Sequence, residues 1–106
     1  MAIKRMKFKF KNMNSKDDMV IISLLVRSEN RIKVLKSLKD GDKIPSMISK
    51  EIGDKSNHIS KYLKTLKEVE LVECLNEEDK RYRFYHLTDK GKYYLDKVEK
   101  DYKDFF

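Results

Sequence analysis

The polar and basic side chains whose types and spacing suit hydrogen bonding to a ligand lie between residues 56 and 65. On a helical wheel at about 100° per residue, Ile59, Leu63 and Leu66 share one face, and polar side chains occupy the other. Asparagine can bond bidentately to adenine, lysine can reach guanine acceptors or phosphate, and hydroxyl groups can bond to bases or phosphates. The candidate contacts to double-stranded DNA are Ser56, Asn57, His58, Ser60, Lys61, Lys64 and Thr65.

The charge of this segment agrees with that chemistry. No acidic residue occurs between Ser56 and Lys67, although acids are frequent elsewhere in the chain. A surface that faces phosphate needs such a gap, because a carboxylate there would be repelled. An ordinary amphipathic helix with a solvated basic face would show the same pattern, so the neighbouring elements must decide between the two interpretations.

The residues before this segment predict a helix and a tight turn. Pro45 suits the first turn of a helix, isoleucines recur every four positions up to Ile52, and Gly53 ends the run. A second helix is expected over about 56–69, and its first two turns can fill one major groove. Helix, turn and helix in this order are typical of a DNA-binding helix-turn-helix.

A β-hairpin is expected next, with strands near residues 71–76 and 81–87. Arg81 and Arg83 lie two apart on one predicted strand, so they share a face and can reach phosphate or the minor groove. Three acids at positions 77–79 lie near the tip and would repel a phosphate backbone. Either the tip points away from DNA, or the basic residues that follow reach past it.

Three further helices complete the prediction, over about 17–26, 29–39 and 89–103. The first is apolar nearly all round, which favours burial on several sides and hence a partner subunit. The predicted fold class is mainly α with a small β-hairpin: a winged helix-turn-helix of five helices plus the wing. We expect one domain over residues 15–106, with the terminal helices used for dimerisation.

A basic arm precedes that domain, over residues 1–14. The formal net charge of the 106-residue chain is +7, and five of its 25 basic residues fall within residues 1–12, where no acid occurs. The remaining 20 basic residues face 18 acidic ones, so the body is nearly balanced. Such an arm suits phosphate or anionic lipid. Its alternation of Lys and Phe permits a strand, and a flexible arm is equally compatible with it.

Other classes of function are disfavoured by what the sequence lacks. Cys74 is the single cysteine, so no internal disulfide or multi-cysteine zinc site is expected, and we predict that it is buried in a strand. His58 and His86 belong to separate elements, so no metal or cofactor is predicted. A Gly-rich phosphate loop and a nucleophile elbow are both missing, which argues against an enzyme. No apolar run reaches the ~18 residues of a membrane span, and a cytoplasmic location is expected.

Five short patterns, in order over residues 24–98 and about 70% of the chain, resemble the ArsR-like winged helix-turn-helix regulators, particularly small archaeal ones. They are Arg31-Ile32-x-Val34-Leu35-x-x-Leu38, Pro45-Ser46-x-Ile48-x-x-x-Ile52-Gly53, His58-Ile59-Ser60-Lys61-x-Leu63-x-x-Leu66, Leu71-Val72 and Tyr85-x-Leu87-Thr88-x-x-Gly91. The resemblance implies a homodimeric transcription regulator that pairs through its first and last helices and reads DNA with the helix that begins near Ser56.

The chain departs from that family at two positions. Asp54 and Lys55 replace the usual apolar residue and small cap, so the cap of the second helix must be Asp54 or Ser56. Glu70 stands where family members tend to have glycine before the first wing strand, which predicts a less tight turn.

Two alternatives to sequence-specific binding stay open at this point. One is architectural DNA binding without base readout, in which the arm supplies most of the affinity. The other is a winged-helix module that binds a protein partner. In neither case does the sequence predict a membrane partner.

Overall fold

The computed structural model of the protein describes residues 15–102, so the predicted basic arm lies outside the described residues. Within them, five α-helices and one two-stranded antiparallel sheet confirm the predicted winged helix architecture. In chain order the elements are α1 (Ser15–Val26), α2 (Glu29–Ser37), α3 (Pro45–Ile52), α4 (Ser56–Glu68), β1 (Val72–Cys74), β2 (Tyr85–Leu87) and α5 (Asp89–Asp101).

One hydrophobic core joins all five helices and the hairpin. The predicted core face of α4 is confirmed, since Ile59, Leu63 and Leu66 are each 0% exposed. Fully burying a side chain of this size contributes roughly 1.5–3 kcal/mol relative to leaving it exposed. Because these residues recur at helical spacing, their burial also fixes the rotation of α4 about its own axis.

Two helices have an N-cap residue whose side chain makes a capping hydrogen bond. The Ser28 side chain caps α2 by accepting a hydrogen bond from the backbone N–H of Arg31, and Thr88 caps α5 by accepting one from Gly91. A side-chain cap of this kind typically contributes about 1 kcal/mol. The end of α3 is also as predicted, because Gly53 adopts the left-handed conformation with φ 74°.

The predicted cap of α4 was wrong. Lys55 holds the N-cap position and its side chain makes no capping hydrogen bond. Asp54 lies one residue earlier, where its carboxylate accepts a hydrogen bond from the backbone N–H of Lys55 (2.7 Å). The carboxylate therefore lies near the positive end of the helix dipole without filling the cap position itself.

The hairpin strands are shorter than predicted, with three residues each and the register Val72↔Leu87, Glu73↔His86 and Cys74↔Tyr85. The Asn76 side chain ends the ladder: its Oδ1 accepts from the backbone N–H of Phe84 (2.8 Å), and its Nδ2 donates to the carbonyl of Tyr82 (2.8 Å). Residues 75–84 therefore form a wing loop held by side-chain hydrogen bonds rather than two longer strands.

Lys43 joins the helices to the hairpin. Its backbone pairs with that of Tyr85 in an isolated antiparallel bridge, and its side chain, only 12% exposed, donates to Asp40 (3.0 Å), Glu51 (2.6 Å) and the carbonyl of Ser37. Burial disfavours the charged amine, but the hydrogen bonds to the two carboxylates outweigh it and raise the pKa of Lys43. The amine thereby connects the end of α2 to α3.

The turn between α4 and β1 is tight, contrary to the expectation drawn from Glu70. Glu70 adopts φ 65°, the left-handed conformation for which a glycine is usual. The backbone N–H of Leu71 bonds to the carbonyl of Leu66 (2.9 Å), and the Thr88 hydroxyl donates to the carbonyl of Glu70 (2.7 Å). These bonds hold a non-glycine residue in a conformation that costs about 1–2 kcal/mol.

The start of α5 packs closely on the same turn. A Cβ added at Gly91 would lie 2.1 Å from the carbonyl oxygen of Leu71 and 2.7 Å from the side chain of Leu87. Only glycine allows α5 to approach the hairpin at this distance.

We expect Glu70→Gly to stabilise the domain by about 1 kcal/mol, because glycine adopts the left-handed conformation without strain. The ion pair that this change removes, Glu70 with Lys90 at 3.7 Å, joins a largely exposed carboxylate and contributes little. Glu68→Gly, at the last residue of α4, is the matched control and should destabilise, by less than the roughly 1 kcal/mol that glycine costs in a helix interior. Thermal and urea unfolding measure both, and a Glu70→Gly variant no more stable than wild type would show that this turn carries no strain.

Candidate nucleic-acid interface

A basic groove of about 620 Å³ lies between α4 and the wing loop, with the start of α3 at one end. Five cationic side chains line it, and no acidic side chain does among the described residues. The complete lining is Ile44, Pro45, Ser46, Ser56, Ser60, Lys64, Lys67, Lys80, Arg81, Tyr82, Arg83 and Tyr85.

The structure divides the predicted contact residues into two groups. Ser56, Ser60, Lys64, Arg81 and Arg83 come together as lining of the groove. The other four residues of the prediction lie on α4 outside the groove: Asn57, His58, Lys61 and Thr65.

These four residues differ in their surroundings. Asn57 and Lys61 are exposed on the face of α4 opposite the core. Thr65 is half-buried, and its hydroxyl donates back to the carbonyl of Lys61 (3.2 Å), so this hydroxyl is partly occupied within the helix. His58 is exposed and pairs through Nδ1 with Asp54 (2.8 Å).

The two arginines do not share a strand face as predicted, because residues 81–84 belong to the wing loop. Arg83 donates through Nε to the carbonyls of Glu77 (3.2 Å) and Asp79 (2.9 Å), so one edge of its guanidinium holds the loop together. Arg81 is exposed, and its guanidinium carbon lies 5.8 Å from the centre of the Tyr82 ring. Both residues still line the groove, but they reach it from a folded loop.

Two of the three acids at the wing tip are engaged within the protein. The Glu77 carboxylate pairs with the amine of Lys67 at the end of α4, and that hydrogen bond lowers the pKa of Glu77 and raises the pKa of Lys67. Asp79 accepts hydrogen bonds from the backbone N–H groups of Tyr82 and Arg81 (2.9 Å each), which lower its pKa. Lys80, next in sequence, lines the groove.

Seven residues that line the groove were not among the predicted contacts: Ile44, Pro45, Ser46, Lys67, Lys80, Tyr82 and Tyr85. Lys67 was detectable, because it follows Ser60 and Lys64 at helical spacing on the same side of α4. Lys80 was expected only as one of the basic residues that could reach past the acidic tip. The position of Tyr82 was not detectable, because it depends on the loop hydrogen bonds of Asn76 and Asp79.

Cys74 is half-buried on β1, so the prediction of a buried cysteine was wrong; its thiol is 4.0 Å from Oδ1 of Asn76. Across residues 15–102, no three His, Cys, Asp or Glu side chains are grouped so as to hold a metal ion. None of the helices in that range has the length and apolar character to cross a membrane.

A family model for the winged helix DNA-binding domain matches residues 28–91, more than half of the chain. The chain belongs to this family. The match covers the helix-turn-helix, the wing and the start of α5, and therefore contains the whole basic groove. No curated protein matches the chain in sequence.

Solved structures with the same fold include transcriptional regulators. BldR from Sulfolobus solfataricus, a transcriptional regulator, aligns with TM-score 0.65 and 17% identity over 73% of this chain and 56% of its own. The YusO protein of Bacillus subtilis aligns with TM-score 0.63 and 26% identity over 71% and 55%. The transcriptional repressor BigR from Xylella fastidiosa aligns with TM-score 0.66 and 18% identity over 85% and 88%. This winged helix domain thus spans a little over half the length of BldR and YusO.

We expect Glu77→Gln to tighten binding to duplex DNA and to steepen its salt dependence by about 0.9 in logarithmic slope. Losing the carboxylate frees the Lys67 amine, which lines the groove, to pair with a phosphate. Glu78→Gln makes the same change in net charge at a neighbouring exposed position and should give a smaller gain. Dissociation constants of both variants measured between about 50 and 200 mM salt test this prediction. Equal gains in affinity would contradict it, because they would show that the net charge alone, and not release of Lys67, sets the change.

Proposed function

We propose that this winged helix domain is a sequence-specific double-stranded DNA-binding transcriptional regulator that acts as a homodimer. The observation that carries the proposal is the groove in which α4 and the wing loop bring together five cations and no acid among the described residues. The matching family and the regulators that share the fold agree with this use of the surface.

Helix α4 is the element proposed to enter the major groove. Its 13 residues span about 20 Å, and its buried face leaves Asn57 and Lys61 exposed on the opposite side. An asparagine and a lysine on that face can reach base edges, as in other helices that read the major groove. We assign base contacts to these two residues together with His58 and Ser60.

The groove beside α4 is proposed to hold the phosphate backbone. Ser56, Lys64 and Arg81 supply hydroxyl and cationic donors there, and Thr65, on α4 outside the groove, is proposed as a further contact. Arg83 has a double role, because it holds the wing loop through Nε and still lines the groove. Contacts of this kind set position and affinity, whereas sequence is read on the bases.

Dimerisation is proposed through α1 and α5. On α1, Met19 is 69% exposed and Val20 is 54% exposed, although their neighbours Ile21 and Ile22 are buried in the core. Helix α1 is apolar on two sides, and its own chain covers only one of them. The other apolar side therefore favours contact with a second protein surface. Because α1 and α5 pack together, a second copy placed on α1 would also lie near α5.

We further propose that the chain is of the ArsR-like, archaeal type. The residue patterns over 24–98 support this proposal, and eleven of their apolar residues belong to the buried core: Ile32, Val34, Leu35, Leu38, Ile48, Ile59, Leu63, Leu66, Leu71, Val72 and Leu87. The function proposed is recognition of DNA and not catalysis.

The test of the function is selection from a random pool of 30-base-pair duplexes in excess competitor DNA near physiological salt. We expect an inverted repeat whose half-sites are about 10 base pairs apart, because a two-fold dimer presents two reader helices about 34 Å apart. Retention without a motif would favour architectural binding instead, and no retention would favour a protein partner.

Replacing Lys61 or Lys64 by Ala is expected to weaken binding to the selected duplex without unfolding the domain, since both are exposed on α4. The cost is roughly 1–3 kcal/mol for a base contact, and a phosphate contact lowers the salt slope by about 1. Lys33→Ala, an exposed lysine on α2 outside the groove and outside the two helices proposed for pairing, is the matched control and should bind as wild type. If Lys61→Ala and Lys64→Ala also bind as wild type, the assignment of α4 as reader is wrong.

The double variant Met19→Lys/Val20→Lys is expected to convert the dimer to a monomer at micromolar concentration, because it places charge on the proposed contact surface. Leu75→Lys, a residue 53% exposed on the wing, is the matched control and should stay dimeric. Sedimentation velocity measures both. A wild type that sediments as a monomer, or a double variant that sediments as a dimer, would contradict pairing through α1.

A further inference from the structure

Asp54 joins α2 to the beginning of α4. Its Oδ2 accepts hydrogen bonds from Nδ2 of Asn30 on α2 (2.8 Å) and from the hydroxyl of Tyr62 on α4 (3.3 Å). Its Oδ1 accepts one from the backbone N–H of Lys55 (2.7 Å) and lies 2.8 Å from Nδ1 of His58. The Asp54 side chain is only 16% exposed, so water competes weakly for these bonds.

These contacts decide which nitrogen of His58 carries a hydrogen. Hydrogen bonds from His58 first and from the backbone of Lys55 second lower the pKa of Asp54, so its carboxylate is ionised near neutral pH and can only accept. Among the described residues, the group paired with the ring is Asp54 from the turn, and the same carboxylate is contacted by the titratable Tyr62 from α4 and the uncharged Asn30 from α2. Nδ1 of His58 must therefore be the donor to Asp54.

Nε2 is then the ring atom available to an outside partner. Within residues 15–102 the hydrogen bond of His58 uses Nδ1, and the side chain is 46% exposed on the first turn of α4. In the neutral ring Nε2 is an acceptor, and in the imidazolium it is a charged donor. Phosphate oxygens and the O6 and N7 atoms of guanine are acceptors, so they complement the imidazolium alone.

We propose that Asp54 is a positioning residue that holds His58 for proton-linked DNA binding, with Nε2 of the charged ring donating to an acceptor atom on the DNA. The inference rests on the proposed function, because it requires that α4 face DNA. Binding then takes up a proton, so DNA affinity rises as pH falls. The change is at most about tenfold per pH unit, since one proton is involved.

The chain supplies a matched control in its second histidine. Nδ1 of His86 lies 2.7 Å from Oδ1 of Asp42, and the His86 side chain is 42% exposed, so the two histidines are alike in pairing distance and exposure, although Asp42 at 39% is more exposed than Asp54. His86 lies on β2 and does not line the groove. Its substitution removes a titrating histidine without touching the reader helix.

The experiment measures dissociation constants by fluorescence anisotropy at several pH values between about 6 and 8, at fixed ionic strength. The proteins are wild type, His58→Gln, Asp54→Asn and His86→Gln, and the probes are the selected duplex and an unselected 30-base-pair duplex. We expect wild type and His86→Gln to bind several-fold more weakly at the high-pH end, and His58→Gln and Asp54→Asn to have flattened profiles. Circular dichroism at each pH checks that every variant is folded. If Asp54→Asn is unstable, His58→Gln still tests the proposal, because the His58 side chain is exposed and its replacement should leave the fold intact.

Each outcome decides a different point. A pH dependence on both duplexes assigns the acceptor to phosphate, and one confined to the selected duplex assigns it to a base; either supports the proposal. Wild-type affinity that does not change with pH, or a His58→Gln variant with the wild-type profile, overturns it and leaves DNA binding intact. Failure of wild type to bind either duplex at any pH overturns the proposed function and this inference with it.

A second measurement needs no DNA. Nitrogen-15 NMR of the free protein above neutral pH should show His58 as the Nδ1–H tautomer in wild type, and a mixture in Asp54→Asn. The Nε2–H tautomer in wild type would overturn the proposal.

Discussion

Burial of one face of α4 is the constraint on which the rest of this structure depends. Ile59, Leu63 and Leu66 are fully excluded from solvent, and because successive helical side chains are separated by a fixed rotation, their burial sets the direction of every other side chain on that helix. Lys61 must then point outwards, and Ser60 must point towards the wing. A helix that could rotate would present no fixed set of donors, so packing in the core is a condition for the recognition proposed at the surface.

Two polar clusters hold the elements around that helix. At one end, the amine of Lys43 joins α2 to α3 while its backbone pairs with β2. At the other end, Asp54 joins α2 to α4. A small domain buries only a modest apolar area, and hydrogen bonds to charged groups of this kind contribute more than neutral ones. The helix-turn-helix is therefore fixed in its mutual orientation by charge-assisted bonds as well as by its core.

The wing loop has three consecutive acids at positions 77–79, yet it contributes cationic side chains to the basic groove. Glu77 pairs with Lys67, and Asp79 turns its carboxylate to backbone N–H groups of its own loop. Both carboxylates are engaged by partners within the protein, while Lys80 and Arg81 line the groove. Counting charges along the chain predicts repulsion at the wing tip, whereas in the folded loop two of the three acids are engaged within the protein. Local electrostatics follow from which hydrogen bonds the loop makes, not from its net charge.

The sequence by itself determined the helices, their order and their buried faces, because these depend on periodicity and on local caps such as Ser28 and Thr88. It also determined which polar residues α4 carries. Only the tertiary structure decided the strand lengths, the roles of the wing arginines and the partners of Asp54. Asn76 ends the ladder through residues six and eight positions away, and Asp54 meets Asn30 across 24 positions. Contacts between residues so far apart leave no periodic trace in the chain, because they exist only after the core has brought the elements together.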